Sequence, residues 1–213
     1  MKKIILGLII FLSMYLVFFG IDLSVYQHIY QNVVRVMYVS EFEDIFGNKV
    51  EEVPYGSGVY IENEKFLTSY HLPEDKPIGK FNIIASGEKG SYLVEGIIEK
   101  YDSDSDLVLL KTNEPLPWSG VKIAEKESEF DEKIYFGGYS SFPLPKIRIT
   151  FKMPHKLYGT YLDPIYFGDS GGGVFNDRGE LEGIICLTFN LYNIPSLRGY
   201  AVPLEKIRRF LDK

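Results

Sequence analysis

Gly168-Asp169-Ser170-Gly171-Gly172-Gly173-Val174-Phe175 sets one serine among four glycines, with a carboxylate beside it and an apolar run behind. Without a Cβ, the backbone at Gly168 and after Ser170 can turn tightly and come close to a ligand. A nucleophilic serine needs that freedom, because neighbouring N–H groups must point at the oxyanion that develops on the attacked carbonyl. The alternative is a glycine-rich hairpin corner with an incidental serine. These eight residues alone do not separate the two.

The partners decide. A serine hydroxyl is a weak nucleophile until a base takes its proton and an acid orients that base. Three histidines are available: His28, His71 and His155. Gly168-x-Ser170-x-Gly172 also fits the nucleophile elbow of α/β-hydrolases, in which the acid and the histidine follow the serine. No histidine follows Ser170, so chain order excludes that arrangement. Upstream, His71 ends the strand-like run Phe66-Leu67-Thr68-Ser69-Tyr70-His71. Asp106 stands where the polar turn Asp102-Ser103-Asp104-Ser105 enters the apolar Leu107-Val108-Leu109-Leu110. The order His71, Asp106, Ser170 is that of a His-Asp-Ser triad. Asp102 and Asp104 compete with Asp106 as orienter; Asp106 is preferred because it directly precedes the strand. His28 falls in a short segment beside a membrane, and His155 lies in a loop between Pro154 and Lys156. Neither is the candidate base.

Three local blocks carry a family resemblance. Gly56-Ser57-Gly58-Val59, followed by Leu67-Thr68-Ser69-Tyr70-His71, resembles the glycine-serine-glycine strand and histidine block of trypsin-like serine peptidases. Asp106-Leu107-Val108-Leu109-Leu110-Lys111 resembles their aspartate block, and Gly168 to Gly172 their serine block. The resemblance runs from about Val33 to the C-terminus. Within the family, the lack of cystines and the short spacings look most like the HtrA/DegP-type proteases. It implies an all-β fold of two six-stranded barrels, about 33–112 and 118–202, with a C-terminal helix at 203–212. It also implies His71 as base, Asp106 as its orienter, Ser170 as nucleophile, and the N–H groups of Gly168 and Ser170 as the oxyanion hole. Digestive relatives pair the aspartate next to the serine with a new N-terminus released by cleavage. No Ile-Val-Gly-Gly-like start stands near Val33, so a structural hydrogen-bonding role is expected for Asp169. HtrA-type proteases usually carry a PDZ domain; the chain ends at Lys213, and none is expected.

Composition bounds the function class. With 213 residues, 15% aromatics, sixteen Tyr and twenty Gly, the chain suggests one domain of strands and tight turns. A formal charge of −6 without a dense Lys/Arg stripe argues against nucleic acid as a partner. Cys186 is the one cysteine, so no intrachain disulfide can form. The default for it is a buried, inert thiol. No metal-ligand cluster and no cofactor motif is present in the sequence.

Met1-Lys2-Lys3 precedes eighteen uncharged residues, Ile4 to Ile21. As a helix they would reach roughly 27 Å, close to the thickness of a bilayer's hydrocarbon core. The run is longer than a usual signal-peptide core and lacks a small-x-small cleavage site, which favours an uncleaved signal anchor at residues 1–21. The two lysines place its N-terminus inside and the rest of the chain outside the cytoplasm, periplasmic or extracellular. Residues 22–32 are then a juxtamembrane linker.

Turn signals and β-branched or aromatic runs predict strands over 33–39, 58–62, 66–70, 81–86, 92–100 and 107–111 in the first half. In the second half they fall at 121–124, 133–137, 146–152, 156–161, 172–175, 183–189 and 200–202. Leu204, Ile207 and Leu211 share a face of the final helix. The specificity pocket is expected between Leu162–Phe167 and Ile185–Phe189. Asp163 lies seven residues before Ser170 rather than six, where Pro164 stands, so an apolar preference is expected over a basic one. The sequence thus predicts a membrane-tethered serine endopeptidase acting on extracytoplasmic proteins or peptides. A binding or chaperone module on the same scaffold, or an esterase, are the competing readings.

Overall fold

The computed structural model describes residues 22–43, 49–52, 55–71, 80–87, 90–140, 144–155, 159–189 and 197–212. The anchor expected at residues 1–21 lies outside them. Among the described residues, no helix is long and apolar enough to cross a membrane.

The chain runs α1 (Leu23–Asn32), β1 (Val33–Glu43), β2 (Lys49–Glu52), β3 (Tyr55–Glu62), β4 (Lys65–Thr68), β5 (Lys80–Gly87), β6 (Gly90–Asp102) and β7 (Leu107–Thr112). The second half adds β8 (Lys133–Gly138), β9 (Lys146–Phe151), β10 (Met153–His155), β11 (Gly159–Ile165), β12 (Gly173–Phe175), β13 (Leu181–Phe189), β14 (Leu197–Pro203) and α2 (Leu204–Asp212). The architecture is all-β with a helix at each end of the described chain.

The first sheet has the order β2-β1-β3-β4-β7-β6-β5, and β1 also pairs with β5. Six strands therefore close into a barrel, and β2 is the second arm of a hairpin with β1. The second sheet has the order β10-β11-β14-β13-β12-β8-β9. Its two edge strands are separated by Lys152 alone, so one bent stretch, 146–155, pairs with β8 on one side and β11 on the other. The expected count of six strands per half thus becomes seven in each sheet, for two separate reasons: the β2 arm, and a break at Lys152. There the backbone leaves the ladder to bond the 129–132 turn, its N–H to Glu132 O at 2.8 Å and its C=O from Asp131 N–H at 3.1 Å. Its ammonium is buried between Glu127 (2.9 Å) and Glu182 (3.4 Å).

The strand sequences explain how the halves meet. Leu107-Val108-Leu109-Leu110 is apolar without alternation because β7 is covered on both faces. Val108 and Leu110 fill the first barrel with Val34, Phe66 and Phe81. Leu107 and Leu109 point the other way, into a cluster with Val59, Leu67, Tyr135, Tyr139, Phe175 and Ile184 that spans the two halves. The second sheet has its own filling, Ile134, Phe136, Leu162, Ile165, Val174 and Ile185. A shared apolar seam of this kind fixes the halves against each other, since interiors pack at near-crystalline density.

Several expectations change. Residues 121–124 form no strand: only Ile123 makes an isolated bridge to Leu181, while Val121 N–H bonds Tyr60 O at 3.0 Å and Ala124 N–H bonds Leu181 O at 2.9 Å. The segment is a strap between the halves, with Val121 and Ala124 buried. Residues 23–32, expected as a linker, are a helix. Asp22 caps it, its Oδ1 accepting Ser24 N–H (2.8 Å) and Val25 N–H (3.3 Å). Ile29 and Asn32 are fully buried. His28 is half-buried beside Gly179, and burial lowers its pKa. The terminal helix begins at Leu204 rather than Pro203, and buries Leu204, Ile207 and Phe210.

Candidate active site

β4 and β7 are antiparallel neighbours, with Thr68 opposite Val108. The segment leaving β4 and the turn entering β7 therefore emerge at the same end of the barrel. That register brings His71 to Asp106. Asp106 Oδ2 lies 2.8 Å from His71 Nδ1, and Oδ1 accepts the His71 backbone N–H at 2.9 Å. The Asp106 carbonyl accepts Tyr70 N–H at 3.2 Å. Asp106 achieves this in the left-handed backbone region (φ 54°), which aspartate tolerates better than most residues. Of the three aspartates in the turn, Asp106 is the one bonded to His71. Asp102 caps the turn, accepting Asp104 N–H (3.0 Å) and Ser105 N–H (3.2 Å), and Asp104 is exposed. With the carboxylate as acceptor, Nδ1 carries the imidazole hydrogen and Nε2 is left to take a proton.

Ser170 comes from the loop before β12. Its carbonyl accepts Ser57 N–H at 2.7 Å, and Thr68 Oγ1 donates to Ser57 O at 2.6 Å. Thr68 is three residues before His71, so two hydrogen bonds link the serine loop to the segment that presents the histidine. Gly171 makes the close approach possible. It has φ +83°, and a Cβ there would collide with Ser57 O and Thr68 Oγ1. Among the described residues, His71 and Ser170 Oγ are not hydrogen bonded to each other. Such bonds are often long in unliganded sites and tighten once substrate is held.

The loop is pinned from below. Ser57 is fully buried; its hydroxyl accepts Tyr139 N–H at 2.7 Å and donates to the Gly168 carbonyl. Asp169 N–H donates to Tyr166 O at 3.0 Å. Gly168 has φ +91°, and a Cβ would meet the Tyr139 carbonyl. Among the described residues, neither Gly168 N–H nor Ser170 N–H has a protein acceptor, while the N–H between them does. These two N–H groups lie on either side of Asp169, and N–H donors beside a serine are the type of group that can meet a developing oxyanion.

Asp169 points the opposite way. Its carboxylate is fully buried, 2.9 Å from an Arg148 guanidinium nitrogen, and Oδ2 also accepts Tyr166 N–H at 2.9 Å. Burial raises its pKa, and Arg148 works against that rise. The residue has the hydrogen-bonding role expected of it. Sequence reasoning missed its cation. Arg148 lies in Lys146-Ile147-Arg148-Ile149, where the sequence pattern offers no hint that the arginine is the inward residue. It missed Ser57's role as well, for which Gly56-Ser57-Gly58 was the available signal.

Cys186 is mostly buried, its Sγ 3.3 Å from Tyr200 O, and burial pushes its pKa up to about 11. The Asp106 charge adds to the rise, so the thiol lies near the site but stays protonated. Of the expected pocket walls, Leu162, Ile165 and Ile185 are buried in the core of the second sheet, whereas Phe167 is exposed. The side chains of Asp163, of His155 and of residues 187–189 lie outside the described set. Among the described residues, no group of three His, Cys, Asp or Glu side chains could hold a metal ion.

Comparison with known proteins bears on the same region. The family model of the trypsin-like peptidase domain matches residues 56–184, a stretch that contains His71, Asp106 and Ser170. The anti-sigma-I factor RsgI9 of Acetivibrio thermocellus is 38% identical over 76 residues, covering 36% of this chain and 10% of that protein. The chain therefore spans about a tenth of the length of this relative.

Proposed function

The chain belongs to the trypsin-like peptidase family, and on that premise we propose that it is a serine endopeptidase using His71, Asp106 and Ser170. The observation that carries the reading is the two-point grip of Asp106 on His71, at 2.8 and 2.9 Å, beside the hydrogen-bonded Ser170 loop. Ser170 Oγ attacks the peptide carbonyl as His71 Nε2 takes its proton. The resulting oxyanion is held by the N–H groups of Gly168 and Ser170. His71 then gives the proton to the leaving amine, and water repeats the sequence to release the acyl group. Each oxyanion donor is worth about 3–4 kcal/mol of barrier. Asp106 keeps the imidazole in the productive tautomer and stabilises its charged form.

The substrates are proteins or peptides on the side of the membrane that receives residues 22–213, with residues 1–21 as the anchor. The eighteen uncharged residues behind two lysines support that placement. A fluorophosphonate probe tests the chemistry directly: it should label Ser170 in the native chain and leave Ser170→Ala unlabelled. Folded native protein that takes no label sinks the reading. The likeness to a regulatory protein, the anti-sigma-I factor, favours a second reading, a binding module on the peptidase scaffold. That reading gains if Ser170→Ala retains the full biological effect of the native chain.

A further inference from the structure

The outer face of β8 and β9 carries an apolar row that runs out from the seam between the halves. Directly opposite residues of an antiparallel pair share a face, and the register sets Tyr135 against Ile149 and Lys133 against Phe151. Tyr135 lies in the seam cluster with Ile29, and Ile147 packs against that cluster. Ile147, Ile149 and Phe151 alternate along the strand, so they step along one face from the seam towards solvent. α1 packs against the same strand. Its first residues lie at the outer end of the row: the Asp22 carboxyl is held below its usual pKa chiefly by hydrogen bonds to Ser24, and the nearby Lys133 charge adds to the lowering. The 129–132 turn, bonded to Lys152 through both its N–H and its C=O, brings Phe130 to the same corner. Four side chains there are largely in water: Leu23 is 58% exposed, Phe130 72%, Phe151 59% and Met153 55%. Single exposed apolar residues are ordinary, whereas a group of them marks a contact surface.

We propose that this corner is a membrane-contact surface, at which Leu23, Phe130, Phe151 and Met153 dip into the headgroup–acyl boundary of the bilayer that holds the anchor. The inference rests on the anchor reading of residues 1–21. What selects a bilayer as the occupant is where the chain outside the described residues ends. Ile21 closes the eighteen uncharged residues, Asp22 alone follows, and α1 starts at Leu23. An anchor joined this closely delivers the corner to the lipid surface. Aromatic and aliphatic side chains gain there by leaving water. Glu129, Asp131 and Glu132, all exposed on the same turn, are repelled by anionic headgroups. The contact is therefore apolar, and it forms because α1 brings the corner down, not through attraction from solution. Contacts on one side of the anchor fix the tilt of the domain against the membrane.

The experiment places the full chain in phosphatidylcholine vesicles and reads lipid contact by tryptophan fluorescence, with doxyl-labelled phosphatidylcholine as quencher and circular dichroism as the check on folding. The chain must first stay with the vesicles through alkaline carbonate extraction; if it does not, the anchor reading itself fails, an outcome distinct from any result of the tryptophan variants. Trp118, the one native tryptophan, supplies the baseline. Phe130→Trp and Phe151→Trp should each add emission that is shifted to the blue and lost to the doxyl lipid, most strongly with the label about 5–10 Å into the headgroup–acyl boundary. Leu144→Trp, also exposed but beyond the opposite end of β9, should add emission that the doxyl lipid leaves unquenched. Folded Phe130→Trp and Phe151→Trp quenched no more than Leu144→Trp overturn the proposal. So does emission that responds to the density of protein in the vesicles but not to the doxyl label, which would put a second copy of the chain on this face. Should either variant not fold, Met153→Trp takes its place in the same comparison.

Discussion

Asp106 shows how much of the site depends on one backbone conformation. Its left-handed φ lets two carboxylate oxygens and the carbonyl face residues 70 and 71 together. Asp106→Asn keeps the shape but offers an amide where Nδ1–H needs an acceptor, which favours the wrong tautomer. Labelling and peptide hydrolysis should fall by about 10⁴-fold with little change in melting temperature. Asp104→Asn, two residues away and exposed, should leave both unchanged. Equal losses in the two variants would remove Asp106 from the triad. Cys186 offers a second check at this scale. Its thiol titrates at about 11, raised by burial, so below that pH the unreactive neutral form prevails. In folded protein at about pH 8, iodoacetamide should leave Cys186 unmodified, and alkylation should accelerate only as pH approaches about 11. Denaturant should restore the rate of an ordinary thiol. Rapid modification of the folded chain in mild alkali would contradict the burial of Cys186.

At the scale of elements, what the sequence revealed depended on whether a segment's partners leave a local mark. β7 was legible because burial on both faces writes an uninterrupted apolar run, and Asn176-Asp177-Arg178-Gly179 between β12 and β13 has the composition of a tight corner. Gly179 indeed takes φ +76°, and Asn176 N–H bonds Glu180 O at 3.0 Å. Residues 121–124 have the same apolar look as a strand, but their bonds go to two different sheets. Periodicity cannot see that. Arg148 was illegible for a related reason: the need for a cation arises at Asp169, and the sequence holds twenty-three Lys and Arg residues with nothing to single out this one. α1 did leave a signal, an Asp22 cap followed by Val25 and Ile29 one turn apart, obscured by the apolar segment before it. The helix packs Ile29 into the seam between the halves, and Asn32 Nδ2 donates to Ser119 O at 3.2 Å on the connection between the two sheets. Ile29→Ala should therefore lower stability by about 2–5 kcal/mol. Urea unfolding would read this as a reduced midpoint at unchanged slope. Folded Ile29→Ala should still take the fluorophosphonate label. A cost below about 0.5 kcal/mol would mean that α1 is peripheral to the domain rather than part of its core.

For the molecule as a whole, α1 changes what the proposed anchor implies. A flexible linker of the same length would let the peptidase sample a wide shell above the bilayer, at roughly 5–6 Å times the square root of its residue count. Instead, residues 23–32 are helical and fixed to both halves through Ile29 and Asn32, and Asp22 alone stands between Ile21 and the helix. On the anchored reading, the active-site cleft is then held at one height over the membrane, and only peptide bonds near that height are reached. A spacer of about ten Gly and Ser residues inserted between Ile21 and Asp22 should release the constraint, adding about 17 Å of reach. The measurement is a ladder of membrane-tethered reporters carrying one cleavable sequence at increasing distance from the bilayer. The native chain should cut a narrow band of the ladder. The spacer variant should cut a broader band that extends further out, while both hydrolyse a free peptide at the same rate. Identical bands from the two proteins would show that α1 does not set the height of the cleft.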